Sequence, residues 1–468
     1  MGRSLIFVAG VCASLTCAAS SSVKAESPEA PVPPFHNLRY EDDFAPKGTQ
    51  PPDDLWAPFK YIPIAESQYG PVHLTVGGEI RERYETYHNI NFGFNGAPAH
   101  NGYDLERLKL DADLHMTDWV RGFVQLGDMR IFGERGVPST TDESHLNFTQ
   151  DFIDVKLPSP FGDDPVVRYG REEMFFGYQR LIAVREGPNV RRDFDGFRFT
   201  DKIGEATIDY IDVHPLVVSP FSFEDSANQN QHLTGVYATI PVTGPLKADV
   251  YWLNYINLAA KFRGLTGAED RDTIGTRLFG KYDGFDWNFE AATQTGTFRN
   301  QEVSGSLLAG VAGYTFNSST WEPRIGFSAN DASGDKAKSS TIGTFDPIYP
   351  RLPYFAETSL LVPANVKDFR PVFSFRPQDD VAVVLGYDML RRVSETDGLY
   401  GSGLAEYKNT AKVSGSDVGT ELSVDVRWST APGLQIGVIA AEFYSGPAIR
   451  EALGKDVTFT AIYSKYLF

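Results

Sequence analysis

Beyond residue 25 the 468-residue chain contains no cysteine, since its only two, Cys12 and Cys17, lie close to the start. Disulfide frameworks and thiolate metal sites are therefore excluded from nearly all of it. After the first residues, no run approaches the ~20 apolar residues that a membrane-spanning helix needs. Basic residues are outnumbered, 43 against 61 acidic ones, for a formal net charge of −18. A chain of that sign has no cationic face for phosphates, which excludes nucleic acid as a partner. Signatures of chemistry are missing too. His73, His88, His100, His115, His145, His214 and His232 fall in no zinc-binding repeat, no serine stands in a nucleophile elbow, and the acidic segments lack the spacing of a calcium loop. The sequence reads as a non-enzyme with neither cofactor nor metal.

What is present begins with a secretory signal over residues 1–25: Arg3, an apolar run from Leu5 to Ala19, and a small-x-small exit at Val23, Lys24 and Ala25. With Arg3 and Lys24 removed, the basic count falls from 43 to 41 and the net charge from −18 to −20. Residues 26–70, rich in Pro and Asp up to about Pro58, read as a periplasmic tether or irregular lead-in. Residues 71–468 read as one transmembrane β-barrel.

The barrel reading rests on period two. Leu108, Leu110, Ala112, Leu114 and Met116 fall on one face, and Arg107, Lys109, Asp111, Asp113 and His115 on the other, the pattern of a strand between two environments. Trp287, Phe289 and Ala291 likewise oppose Asn288, Glu290 and Gln294. Leu422, Val424, Val426 and Trp428 oppose Glu421, Ser423, Asp425 and Arg427. About eighteen such runs lie between residues 74 and 467. Mean hydropathy is only −0.26, although 13% of residues are aromatic. Strands with one lipid face and one watery face average to such a value.

Links after odd runs are long, as at 87–103, 172–193, 214–231, 331–365 and 392–417; links after even runs are short. Long extracellular loops alternating with short periplasmic turns mark a bacterial outer-membrane barrel, and an even count leaves both termini in the periplasm. The last strand, from Asp456 to the terminal Phe468, resembles the signal read by the barrel assembly machinery.

Several ordered blocks resemble the alginate export family. They are Phe59–Ile64 with Gly77–Glu85; Arg168–Arg171; Arg180, Leu181, Ile182 and Arg185; Asn189–Arg198; Thr344–Pro350; and Arg391 ahead of Asp397–Tyr400. The resemblance implies a monomeric eighteen-stranded barrel with an electropositive pore. Glu172 departs from the pattern, standing where a neutral Gln is expected.

Arginine suits a pore for acids because its planar fork grips carboxylates and stays charged. Alternation nominates Arg81, Arg83, Arg107, Lys109, Arg121 and Arg198, with Arg277, Lys281 and Arg324. The 172–193 link adds Arg180, Arg185, Arg191 and Arg192, and is expected to fold inward as a constriction. The family blocks add Arg171 and Arg391. The 331–365 link, with four prolines and four aromatics, is expected to lie over the outer mouth as a lid. The expected function is passage of anionic polysaccharide or saccharide acids through this lining. The alternative is a general anion-selective uptake porin for small organic acids. The surrounding partner is outer-membrane lipid.

Overall fold

The computed structural model describes residues 35–44, 55–136, 138–158, 163–337 and 339–468. The expected signal segment lies outside the described residues. Strands that carry apolar side chains on one face and charges on the other need two environments, and closing the sheet removes the edges that would leave backbone groups unpaired in lipid. Eighteen antiparallel strands do this here. They are β1 (Gly70–His88), β2 (His100–Thr117), β3 (Val120–Phe132), β4 (Ser144–Lys156), β5 (Asp163–Glu173) and β6 (Asp193–Ile203). Then come β7 (Ala206–Val217), β8 (Gln231–Thr243), β9 (Leu246–Phe262), β10 (Leu265–Tyr282), β11 (Phe285–Phe298) and β12 (Gln301–Thr315). The wall ends with β13 (Arg324–Ala332), β14 (Val366–Gln378), β15 (Val381–Arg392), β16 (Asp417–Ala431), β17 (Leu434–Ser445) and β18 (Val457–Leu467). Each pairs with the next, and β18 returns to β1, Leu467 opposite Glu79 and Thr458 opposite His88.

Every alternating run in the sequence is one of these strands. β9 and β10 extend well past their alternation, because a register shift between Asn257 and Ala260 breaks the period while Ala260 and Phe262 pack inward on Phe298 and Val303. As a result the links after β9 and β11 are two-residue turns, Arg263–Gly264 and Arg299–Asn300, although both follow odd strands. The faces are as expected: Leu108 is 53% and Leu110 51% exposed on the outside, while Arg107 and Lys109 are each 1% exposed inside. Near the short turns Tyr69, Trp119, Tyr282, Phe285, Trp321 and Trp428 stand outward as an aromatic girdle.

The hydrophobic core lies within the barrel and is built from loops. One cluster joins Phe92 and Phe94 of the first long loop to Tyr354, Phe355 and Leu361. A second joins Met174, Leu181 and Ile182 to Phe345 and Tyr349 and to the inner faces of β7–β9. The irregular segment Phe35–Phe44 also enters the barrel. Its Tyr40 packs edge-on to Phe123 and Phe152, 6.0 and 5.3 Å between ring centres, and beneath Val184. Residues Ile62–Ser67 pair with the first residues of β1, so β-structure begins ahead of the expected boundary at residue 71.

Candidate functional site, a constriction where two loops meet

The 174–192 link turns inward because its apolar run, Leu181, Ile182, Ala183 and Val184, is too long to leave in water and finds the inner wall instead; all four are buried. The 333–365 link does the same from the opposite wall. It does not stop at the outer mouth as a lid but descends to the first loop, where Ile182 and Tyr349 form a parallel bridge. There Tyr349 N–H donates to Leu181 O and Arg351 N–H to Gln179 O, each at 2.9 Å. Its upper part is held by a second junction: Thr344 and Tyr400 hydroxyls donate to Asp397 at 2.6 Å, and Asp335 N–H donates to the same carboxylate at 2.8 Å. The Thr344–Pro350 and Asp397–Tyr400 blocks noted in the sequence therefore meet here.

Most cations proposed for the pore lining are engaged in holding these loops. Arg81 donates to the carbonyls of Glu186 and Pro188 and to Asn189 Oδ1, at 2.9–3.1 Å. Arg107 donates to Glu79 at 2.9 Å, Asn189 O at 2.8 Å and Pro188 O at 2.6 Å. Lys109 pairs with Glu173, and Arg191 pairs with Glu173 at 2.9 Å, with Glu186, and with Asn37 O at 3.1 Å. Burial alone would raise the Glu186 carboxyl, yet Arg191, Lys465 and Arg107 hold it well below the usual carboxylate range. Arg83 pairs with Glu85, Arg121 with Asp113 at 2.7 Å, Arg180 with Glu290 at 2.6 Å, and Arg198 with Asp209 at 2.9 Å and Glu172 at 3.3 Å. Glu172, the departure from the family pattern, is thus a structural anchor, also 2.9 Å from Arg168. Arg277 and Arg324 are paired with Asp249 and Asp286. A buried pair of this kind returns little net stability, but removing one partner leaves a charge stranded.

Two candidates face the wrong way. Arg171 shares its side of β5 with the outward Tyr169, pairs with Asp195 at 2.7 Å and donates to Phe148 O at 2.8 Å. Arg391 continues the outward row Leu385, Tyr387, Met389 on β15 and is exposed. Its neighbour Arg392 points in, and donates to the carbonyls of Thr410 at 2.7 Å and Val413 at 3.0 Å. The cause in both cases is the pleat: successive residues alternate sides, so a place in a family block does not fix the face.

Arg185 and Arg192, joined by Arg351, which sequence reasoning passed over, have no carboxylate partner among the described residues. The Arg192 guanidinium lies 4.4 Å from the centre of the Tyr349 ring, and that of Arg351 4.6 Å from the Tyr178 ring. Arg185 has only a 3.4 Å contact to Ser402 Oγ. Its backbone is left-handed, φ 59°, which turns the side chain away from the apolar run preceding it. Burial, and then the Arg192 charge, push Arg185 well below the usual guanidinium value. An anion between the two would relieve both costs. The clue available in the sequence was the cationic residue of Pro350, Arg351, Leu352, Pro353, a segment too proline-rich for a strand.

Among the described residues no group of three or more metal-ligating side chains converges, and no helix is long and apolar enough to cross a membrane. Comparison with solved structures places this barrel beside outer-membrane porins. OccAB1 of Acinetobacter baumannii has TM-score 0.59 at 10% identity, covering 84% of this chain and 96% of that one. OccK11 (OpdR) of Pseudomonas aeruginosa has 0.54 at 12%, covering 84% and 96%. OccK2 (OpdF) of the same organism, solved in complex with glucuronate, has 0.56 at 8%, covering 84% and 98%. Identities this low speak for the fold alone. No curated protein matches the sequence. The Alginate export family matches residues 72–462, most of the wall and both inward loops, and the chain belongs to that family of outer-membrane channels.

Proposed function

We propose that this channel passes anionic saccharides or saccharide acids through the eyelet formed by Arg185, Arg192 and Arg351. The observation that carries the reading is the contrast in pairing: nearly all the lumen cations discussed above are spent on carboxylates or on several loop carbonyls, whereas Arg185 and Arg192 have neither and Arg351 has only a 3.3 Å bond to Tyr354 O. A sugar carboxylate supplies the charge they lack, and the Tyr349 and Tyr178 rings hold the Arg192 and Arg351 guanidinium groups in place. The glucuronate bound by OccK2 is a sugar acid of this kind, carried on the same fold. Uptake of small organic acids is the second reading, favoured by the two loops lying across the lumen and narrowing the path. The channel acts as a monomer in outer-membrane lipid, and its C-terminal strand ending in Phe468 engages the assembly machinery.

In planar bilayers the protein is expected to prefer anions, and glucuronate to reduce chloride current. Arg185→Gln with Arg192→Gln should lower the anion preference severalfold, because fixed charges at the narrowest point set selectivity. The outward pair Arg171→Gln with Arg391→Gln should leave it unchanged. A cation-selective wild type would overturn the reading. Oligouronates that block without crossing would favour small acids over polymer.

Acid should strengthen the preference. Asp142 lies in the loop that contacts the constriction through Val190 N–H to Thr141 O at 2.8 Å, and burial pushes its carboxyl up to about 6. Asp346, in the descending loop, is likewise raised by burial, with Arg271 opposing. Carboxyls raised in the folded state favour folding when protonated; that contribution is complete below the ordinary carboxylate range and is lost as pH rises through about 6 for Asp142. Between pH 7 and pH 5 these loops therefore lose negative charge. Reversal potentials in a salt gradient should shift further towards the chloride potential at pH 5, and Asp142→Asn with Asp346→Asn should flatten the shift.

A further inference from the structure

Six histidines form three directly opposed pairs across neighbouring strands, and their ring nitrogens are used differently. His73 and His115 lie stacked, 12° between planes, with His115 Nε2 3.4 Å from Asp113. His214 and His232 are also stacked, at 20°; His214 Nδ1 is 2.6 Å from Gln231 O and His232 Nε2 2.7 Å from Asp212. In both pairs the rings meet face to face rather than through their nitrogens. His88 at the end of β1 and His100 at the start of β2 behave otherwise. Their rings stand at 75° with centres 4.3 Å apart, and the two Nδ1 atoms are 3.1 Å from one another. Both side chains are exposed on the outer face at the loop end, away from the lumen and beyond the exposed carboxylates Glu82 and Asp104.

We propose that His88 and His100 form a two-histidine site for a borderline transition-metal dication, Cu²⁺, Ni²⁺ or Zn²⁺, at the extracellular rim. Two imidazole nitrogens bound to one such ion at about 2.0–2.1 Å, subtending about 90–110°, stand about 2.9–3.4 Å apart, the separation found here. Neutral imidazole selects these ions over Ca²⁺ and Mg²⁺, which prefer oxygen ligands. The remaining positions face solvent and take water. The ion would clasp the stem of the first outer loop, residues 89–99, whose Phe92 packs against Tyr407 and Phe443 at 5.3 and 5.1 Å between ring centres. Since the site faces away from the lumen, its occupancy is independent of what the channel carries.

The test is titration of the full chain, tag-free and in detergent, with Cu²⁺ followed by electron paramagnetic resonance and with Ni²⁺ by calorimetry at pH 7.5. The expected result is one high-affinity ion per chain with directly bound nitrogen. Its affinity should fall at least about tenfold on His88→Gln or His100→Gln, since one of only two protein ligands is lost. It should be unchanged on His214→Gln with His232→Gln, and should disappear at pH 5 as the imidazoles protonate. Heat-modifiable migration verifies that each variant is folded. Metal uptake that survives both substitutions overturns the proposal. So does a wild type that takes up no metal, which would leave the short contact as an N–H···N hydrogen bond.

Discussion

Removing residues 333–362 is expected to raise single-channel conductance about twofold or more, with insertion into the bilayer intact. The descending loop fills the lumen with buried side chains: Phe345, Val362 and Ala364 are essentially inaccessible. Conductance follows the open cross-section of the lumen, and this loop occupies part of it. Insertion should survive because β13 pairs directly with β14 and the loop adds only a two-residue pairing, Thr341 and Ile342 with Glu302 and Val303 at the start of β12. The deletion also removes Arg351, so the anion preference should fall with the rise in current. A deleted protein with wild-type current and wild-type selectivity would show that the permeation path bypasses the junction at Ile182 and Tyr349.

Glu173→Ala should have a comparable effect by a different route. This one carboxylate receives Lys109 and Arg191, all three side chains being buried. Its loss strands Lys109 in the interior, a defect costing about 3–5 kcal/mol where a buried pair is broken, and leaves Arg191 to Glu186 and Glu79 alone. The barrel wall is held by its own ladder, so the cost falls on the loop that Arg191 anchors. We expect noisy, flickering channels and faster protease cleavage between residues 174 and 192, with heat-modifiability retained. Glu173→Gln, which keeps the volume and one acceptor, should be milder. Quiet channels from the Ala variant would mean that the loop is held by its apolar face alone.

These two cases mark what was legible in the sequence. The wall was, because a strand between lipid and water writes its environment into every second residue: Leu108 and Lys109 could be assigned to opposite faces by inspection. The same rule, applied strictly, would have rejected Arg391 beside Met389 and Tyr387, and Arg171 beside Tyr169. Family likeness carried them instead. Inward folding of the 174–192 link could be anticipated from its charge, but not its meeting with residue 349, since no local pattern encodes a contact between segments so distant in sequence. Nor could pairing be read: Arg81 and Arg192 look alike in the chain, and only the fold gives one a set of carbonyls and leaves the other without a carboxylate.

The way the segment Phe35–Phe44 sits in the barrel bears on how the molecule is made. Arg39 donates to the main-chain oxygen of Phe468 at 2.9 Å, and Trp56 stacks on the Phe468 ring, 4.1 Å between centres. Arg39 and Trp56 thus clasp Phe468, whose own backbone also bonds to Gly78 in the first strand. Synthesis delivers these partners at opposite ends of its timetable. The inner segment therefore gains these contacts only once β18 has paired with β1. A protein lacking Phe468 would lose the carbonyl that Arg39 bonds and the ring on which Trp56 stacks, so these contacts register that β18 is in place before the inner segment locks.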